Sequence, residues 1–205
     1  MRKAIYLALL HYPVYDRQGK VITTSFTNLD IHDISRVAKT YDCKFFFLVT
    51  PVKSQREFAK RLINHWTEGF GSRYNPSRRE ALQVLSIKSD LKETLKNIEE
   101  LEDGKTPIII ATGAKGNLAN LDFLACRRMI HKGEKDQPIL FLFGTGWGLA
   151  SEVIQQADFV LEPIIGQGVY NHLSVRSAVA IVLDRLLGAD GIKFVNLEED
   201  KNECH

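Results

Sequence analysis

The sequence predicts an α/β protein built on a mostly parallel sheet with helices on both faces. Three observations carry that expectation. Short, almost continuous apolar runs recur along the chain, as strands buried on both faces require. Amphipathic stretches alternate strictly with them, carrying apolar residues at three- and four-residue spacing. The length of 205 residues and the 44% hydrophobic content suffice for one sizeable core without disulfides or metal.

In order along the chain, Ala4 to Leu10 reads as the first strand. Asp16-Arg17-Gln18-Gly19 is a turn, and the β-branched Val21 to Phe26 a short edge strand. Asn28 or Asp30 caps a helix to about Tyr41, with Ile31, Ile34, Val37 and Ala38 on one face. Lys44 to Thr50 is a strand ended by Pro51, and Ser54 opens a helix carrying Phe58, Leu62 and Ile63. Val84 to Ile87 is a brief strand, and Ser89 or Asp90 caps a helix with Leu91, Leu95, Ile98 and Leu101 on one face. Strands follow at Pro107 to Ala111, Pro138 to Phe143 and Phe159 to Leu161. Helices follow at Leu121 to Ile130, Leu149 to Gln156 and Ser174 to Leu187, the last closed by Gly188. Residues 1–190 read as a single domain, and 191–205 as a short strand and polar tail.

Composition narrows the function. With 27 Lys and Arg against 25 Asp and Glu, a histone-like polycation is excluded, while a local basic patch is not. Cys43, Cys126 and Cys204 are widely spaced and form no CxxC, which points to a reducing compartment and away from a zinc ribbon. Ala4 to Leu10 is short for a signal segment, and no run approaches the roughly 18 apolar residues of a membrane span. A soluble, cytoplasmic protein is expected.

The segment His65 to Glu80 breaks the rhythm. It holds two glycines, a proline, the arginines Arg73, Arg78 and Arg79, and the aromatics Trp66, Phe70 and Tyr74. It reads as a long loop, and such loops tend to be functional. Arginines pair phosphates and aromatics stack on bases, so one reading is an RNA-contacting loop. The other is a surface loop whose aromatics cover the core.

Two glycine-rich turns carry the strongest local signal. Phe141-Leu142-Phe143-Gly144-Thr145-Gly146-Trp147-Gly148-Leu149 runs a buried strand into a turn with three glycines. Glycines let the backbone approach a ligand, and the following helix start offers free N–H groups. A dinucleotide turn, with Glu162 as the ribose acid, is one reading. Against it, Leu149 replaces the third glycine, and the turn comes late in the chain. The second turn, Pro163-Ile164-Ile165-Gly166-Gln167-Gly168, leads into Val169-Tyr170-Asn171-His172-Leu173-Ser174-Val175-Arg176. Asn171 or Ser174 caps the next helix. Its middle, Ala178 to Leu183, is apolar all round, which calls for cover on every side and hence a subunit interface.

These two segments resemble the last two motifs of the SPOUT superfamily of S-adenosylmethionine-dependent RNA methyltransferases, within it a small bacterial group of unassigned target. Thr27-Asn28-Leu29-Asp30-Ile31-His32-Asp33-Ile34-Ser35-Arg36 more loosely resembles the superfamily's N-terminal motif, with bulkier residues where a glycine usually precedes the arginine. The resemblance spans His11 to Leu187. It implies an α/β knot, with the C-terminal part threaded as a trefoil knot, and a homodimer. It implies S-adenosylmethionine held among the turns at Thr112 and Gly113, at Phe143, Gly144, Thr145 and Gly146, and at Ile164, Ile165, Gly168, Leu173 and Ser174.

The substrate implied is tRNA or rRNA, with Arg36 orienting its phosphate or ribose, and Asn171 and Ser174 binding the acceptor or the cofactor. A sulfonium carries its own leaving group, so no metal is required. His172 is the nearby group with an ordinary pKa close to neutral, and a capping histidine is the competing reading. Asp30 and Asp33 stand as proton acceptors or as solvated helix-start acids. Two other classes remain open: a dinucleotide-binding oxidoreductase using Gly144, Gly146 and Glu162, and a non-catalytic RNA-binding protein on the same scaffold.

Overall fold

The computed structural model describes residues 2–132 and 136–189. Six parallel strands form one sheet in the order β5-β4-β1-β7-β6-β8. They are β1 (Ile5–Leu10), β4 (Phe45–Val49), β5 (Leu85–Lys88), β6 (Ile108–Ala111), β7 (Ile139–Gly144) and β8 (Phe159–Val160). β1 is central, pairing Leu7 with Phe46 on one side and Phe141 on the other. All six of its residues are buried, so its continuous apolar run is the cost of being covered on both faces.

The two-residue period sorts the core. Ile5, Leu7 and Leu9 of β1 join Phe141 and Phe143 of β7 in one cluster, while Tyr6, Ala8 and Leu10 join Leu140 and Leu142 in another. The first cluster is covered by α1 (Asn28–Thr40), α2 (Lys53–Thr67), α4 (Pro76–Leu82), α6 (Phe123–Lys132) and α8 (Val175–Leu187). The second is covered by α5 (Leu91–Leu101) and the one-turn α7 (Ser151–Ile154). Helices on both faces of a parallel sheet are what the sequence predicts.

Local chemistry sets the helix starts. Thr27, and not Asn28 or Asp30, begins α1, in a capping box: the Asp30 N–H donates to the Thr27 hydroxyl at 3.2 Å, and the Thr27 N–H donates to the Asp30 carboxylate at 2.7 Å. Asp90 caps α5 by accepting from the Glu93 N–H at 2.8 Å. Ser174 caps α8.

Two expectations need correction. Val21 to Phe26 does not join the main sheet: β3 (Val21–Ile22) pairs antiparallel with β2 (Val14–Tyr15) in a separate hairpin. The segment His65 to Glu80 is not a loop. α2 continues to Thr67, α3 (Phe70–Tyr74) follows, and α4 begins at Pro76. Asn75 caps α4 by accepting from the Arg78 N–H at 3.0 Å, and proline is welcome at the first helical position, where no N–H is needed. The glycines and proline therefore punctuate short helices. The expected strand and tail at 191–205 lie outside the described residues.

Candidate functional site

The turns after β6, β7 and β8 converge at the carboxyl ends of the strands, beyond the point where the sheet order reverses around β1. They enclose a cavity of about 540 Å³. Thr112, Gly113, Phe143, Gly144, Thr145, Gly146, Ile164, Asn171, Leu173 and Ser174 all line it. Three separately read sequence segments are thus brought to one concave site of a size usual for a small-molecule ligand. Three expected residues stand elsewhere. Ile165 is 73% exposed, Gly168 is not in the wall, and Arg36 is exposed on α1.

The glycine turn has packing reasons for two of its glycines. A Cβ on Gly144 would stand 2.8 Å from the Leu149 nitrogen, which explains why position 144 is glycine. Gly146 has φ +59°, and its Cβ would stand 2.7 Å from the Tyr15 carbonyl. That carbonyl accepts from the Trp147 N–H at 2.8 Å, and the Tyr15 N–H donates to the Gly148 carbonyl at 2.9 Å. The β2–β3 hairpin is therefore a backing plate for the turn.

Behind it lies a polar chain. The hydroxyls of Thr145 and Thr24 hydrogen-bond at 2.5 Å, and Nδ1 of His11 bonds the Thr24 hydroxyl at 3.0 Å. His11 is fully buried, edge-on to Phe26 at 6.3 Å, and its Nε2 has no hydrogen-bond partner among the described residues. Burial pushes its pKa down to about 4, against a weaker upward pull from Asp30, so the ring is neutral.

The second turn is tied in by side chains. Asn171 Nδ2 donates to the Ala114 carbonyl at 3.3 Å, joining the loops after β8 and β6. The Ser174 hydroxyl accepts from the Ser177 N–H at 3.3 Å and bonds the Ser177 hydroxyl at 2.9 Å, so the capping reading holds for Ser174. His172 lines the cavity with its ring between Trp147 at 5.9 Å and Tyr170 at 5.4 Å, both edge-on, and the cap of α8 is Ser174 instead. Glu162 is also in the wall, but its carboxylate accepts from the Phe123 N–H at the start of α6 at 2.8 Å.

Asp30 and Asp33 are not solvated helix-start acids. Arg176 on α8 donates to Asp33 at 2.8 Å and lies 3.6 Å from Asp30. The N-terminal and C-terminal motifs are locked together by this pairing. Sequence reasoning missed Lys115 and Trp147 as wall residues. Trp147 was legible as an indole set between two glycines of the turn; nothing in the sequence pattern around Lys115 marks it. Of the three arginines at 65–80, Arg73 and Arg79 are exposed, while the Arg78 guanidinium lies 4.3 Å over the Trp66 ring.

Among the described residues no group of three His, Cys, Asp or Glu is placed to hold a metal, and no helix is long and apolar enough to cross a membrane.

Comparisons with known proteins add an independent line. A family model described as SAM-dependent RNA methyltransferase matches residues 4–188. An uncharacterized protein of Aquifex aeolicus is 41% identical over 182 residues, covering 89% of this chain and 87% of the relative. A tRNA (guanine-N(1)-)-methyltransferase of Oleidesulfovibrio alaskensis is 42% identical over 184 residues, covering 90% of this chain. This chain spans only 42% of that relative's length. Among solved structures, the SpoU methyltransferase AviRb of Streptomyces viridochromogenes, in complex with AdoMet, shares the fold with a TM-score of 0.56. Its identity is 13%, with 91% of this chain and 58% of that chain covered.

Proposed function

Because the chain belongs to the SAM-dependent RNA methyltransferases of SPOUT type, we propose that it methylates a tRNA or rRNA as a homodimer, with S-adenosylmethionine held in the cavity of the three turns. The observation that carries the reading is the convergence of Thr112–Gly113, Phe143–Gly146 and the trio Ile164, Leu173 and Ser174 on one cavity of about 540 Å³. The name of the Oleidesulfovibrio relative favours tRNA, although that protein is more than twice the length matched. The trefoil knot implied by the sequence motifs is part of the proposal.

The wall fits the cofactor by its donor set. Thr112 is turned away, its hydroxyl donating to the Leu142 carbonyl at 2.9 Å, and Thr145 bonds Thr24 behind the turn. With both hydroxyls engaged, adenine reading would fall to backbone N–H and C=O groups of the turns, beside the apolar Phe143, Ile164 and Leu173 that line the cavity. The cofactor, when bound, supplies a methyl group activated on a sulfonium. The protein then has to align a nucleophile with that methyl and exclude water. Asn171 has its amide nitrogen committed to Ala114, which leaves its carbonyl oxygen to accept from an acceptor hydroxyl or base N–H. Ser174 fixes the start of α8 at the wall.

Arg36, exposed on α1, is assigned to an RNA phosphate or ribose at the cavity of the second chain. Ile165 and Gly168, both exposed, are assigned to a cofactor wall that a second chain would complete. Arg73 and Arg79 are assigned to phosphates at a distance from the cavity.

The test is mass spectrometry of nucleosides from total RNA of a deletion strain. One methylated nucleoside should disappear and return with the wild-type gene but not with Arg36→Ala. An unchanged nucleoside profile would reject the activity.

A further inference from the structure

Phe70 and Tyr74 stand on α3 one turn apart, 74% and 77% exposed, with their rings stacked at 6.2 Å and 20° between planes. The fold forces them outward. Gly71 and Ser72 on the opposite face are buried, and a Cβ on Gly71 would stand 2.6 Å from the Trp66 ring. The glycine lets α3 lie flat on Trp66, so positions 70, 73 and 74 face solvent. Trp66 is itself clamped, edge-on to His32 at 5.5 Å and under the Arg78 guanidinium. The aromatic pair is mounted on a rigid base, and Arg78 belongs to that base.

The surroundings are cationic. Between Lys53 and Glu80 lie seven of the 27 lysines and arginines but only three of the 25 acids. Two of those acids are already engaged, Glu57 by Lys53 and Glu80 by Lys39. Arg73 and Arg79 enter no ion pair among the described residues.

We propose that Phe70 and Tyr74 form a stacking platform for an unpaired stretch of RNA, with Arg73 and Arg79 holding the flanking phosphates. This deepens the RNA reading above and rests on it. Unpaired bases are specified because a ring can stack only on a base that is free of its neighbours, whereas a duplex offers grooves and phosphates. Positive charge around the rings complements a phosphate backbone. The platform is also tied to the cavity. His32, against Trp66, lies on α1 beside Asp33, and Asp33 is bound to Arg176 two residues beyond the Ser174 cap. A strand seated on the platform is held in fixed relation to the cofactor wall.

The experiment uses the full chain and fluorescein-labelled RNA, a single-stranded 12-mer of mixed sequence and a hairpin duplex of roughly 16 base pairs. Anisotropy is read across a salt series, with S-adenosylmethionine affinity measured alongside by calorimetry. Phe70→Ala/Tyr74→Ala should weaken single-strand binding roughly tenfold or more, with the salt slope and cofactor affinity unchanged. The duplex should be little affected, and Phe70→Tyr/Tyr74→Phe should bind as wild type. Arg73→Gln/Arg79→Gln should instead lower the single-strand slope by about 1.4. Single-strand affinity unchanged by the double alanine variant would overturn the platform, as would an equal loss on the duplex. So would conversion of a wild-type dimer to a monomer by the double alanine variant, which would make the patch a self-association surface. A wild-type protein that binds neither cofactor nor RNA sinks the underlying reading. A protein that binds both, and ignores the alanine changes, sinks the platform alone.

Discussion

At the scale of single residues, the most exacting position is His11. Its ring is buried, neutral and joined through Thr24 to Thr145 in the glycine turn after β7. The folded chain protonates it only near pH 4, while the unfolded chain does so near 6.5. The unfolded state therefore takes up a proton first as pH falls, and stability drops between about pH 6.5 and 4. The full shift corresponds to about 3 kcal/mol. Urea midpoints at pH 7 and pH 5 should differ more for wild type than for His11→Asn; equal pH dependence would remove His11 from the account. Arg176 makes a second, milder case. Arg176→Ala leaves the nearly buried Asp30 and the half-exposed Asp33 without their cation, and should cost about 1 kcal/mol in chemical denaturation. The glycine turn was legible because glycine is conspicuous. The Asp33–Arg176 pair was not, because its partners are 143 positions apart and only the fold joins them.

At the scale of elements, the sheet was legible and the connections less so. β1, β4 and β7 are buried along nearly their whole length, so their apolar runs stand out. Segment 65–80 was misread because two glycines and a proline look like a loop, yet Asn75-Pro76 was a legible helix start. The Val14–Ile22 hairpin was half seen, since its first strand, of two residues, is too short to show a period. The all-round apolar middle of α8 is buried on one side only within the single chain. Val179, Val182 and Leu183 are covered, while Ala180 and Ile181 are only partly buried. A homodimer would cover the rest. Ile181→Asp should shift the sedimenting species from dimer to monomer without loss of helix; a wild-type monomer would exclude the interface.

At the scale of the whole molecule, the layout separates tasks along the chain. The amino-terminal half supplies β1, the backing hairpin and the basic α2–α4 surface; the carboxyl-terminal half supplies the three turns. The near-neutral total of +2 conceals that division, because acids elsewhere offset the basic segment. The central claim is that the convergent turns form the cofactor site. Ala178 of α8 lines that cavity and is only partly buried, so Ala178→Trp should fill it with little strain on the core. Calorimetric titration of S-adenosylmethionine tests the claim directly. Wild type should bind one cofactor per chain, and Ala178→Trp should abolish the heat while keeping its melting temperature within a few degrees. No binding by wild type, or binding undiminished in a folded Ala178→Trp, would contradict it.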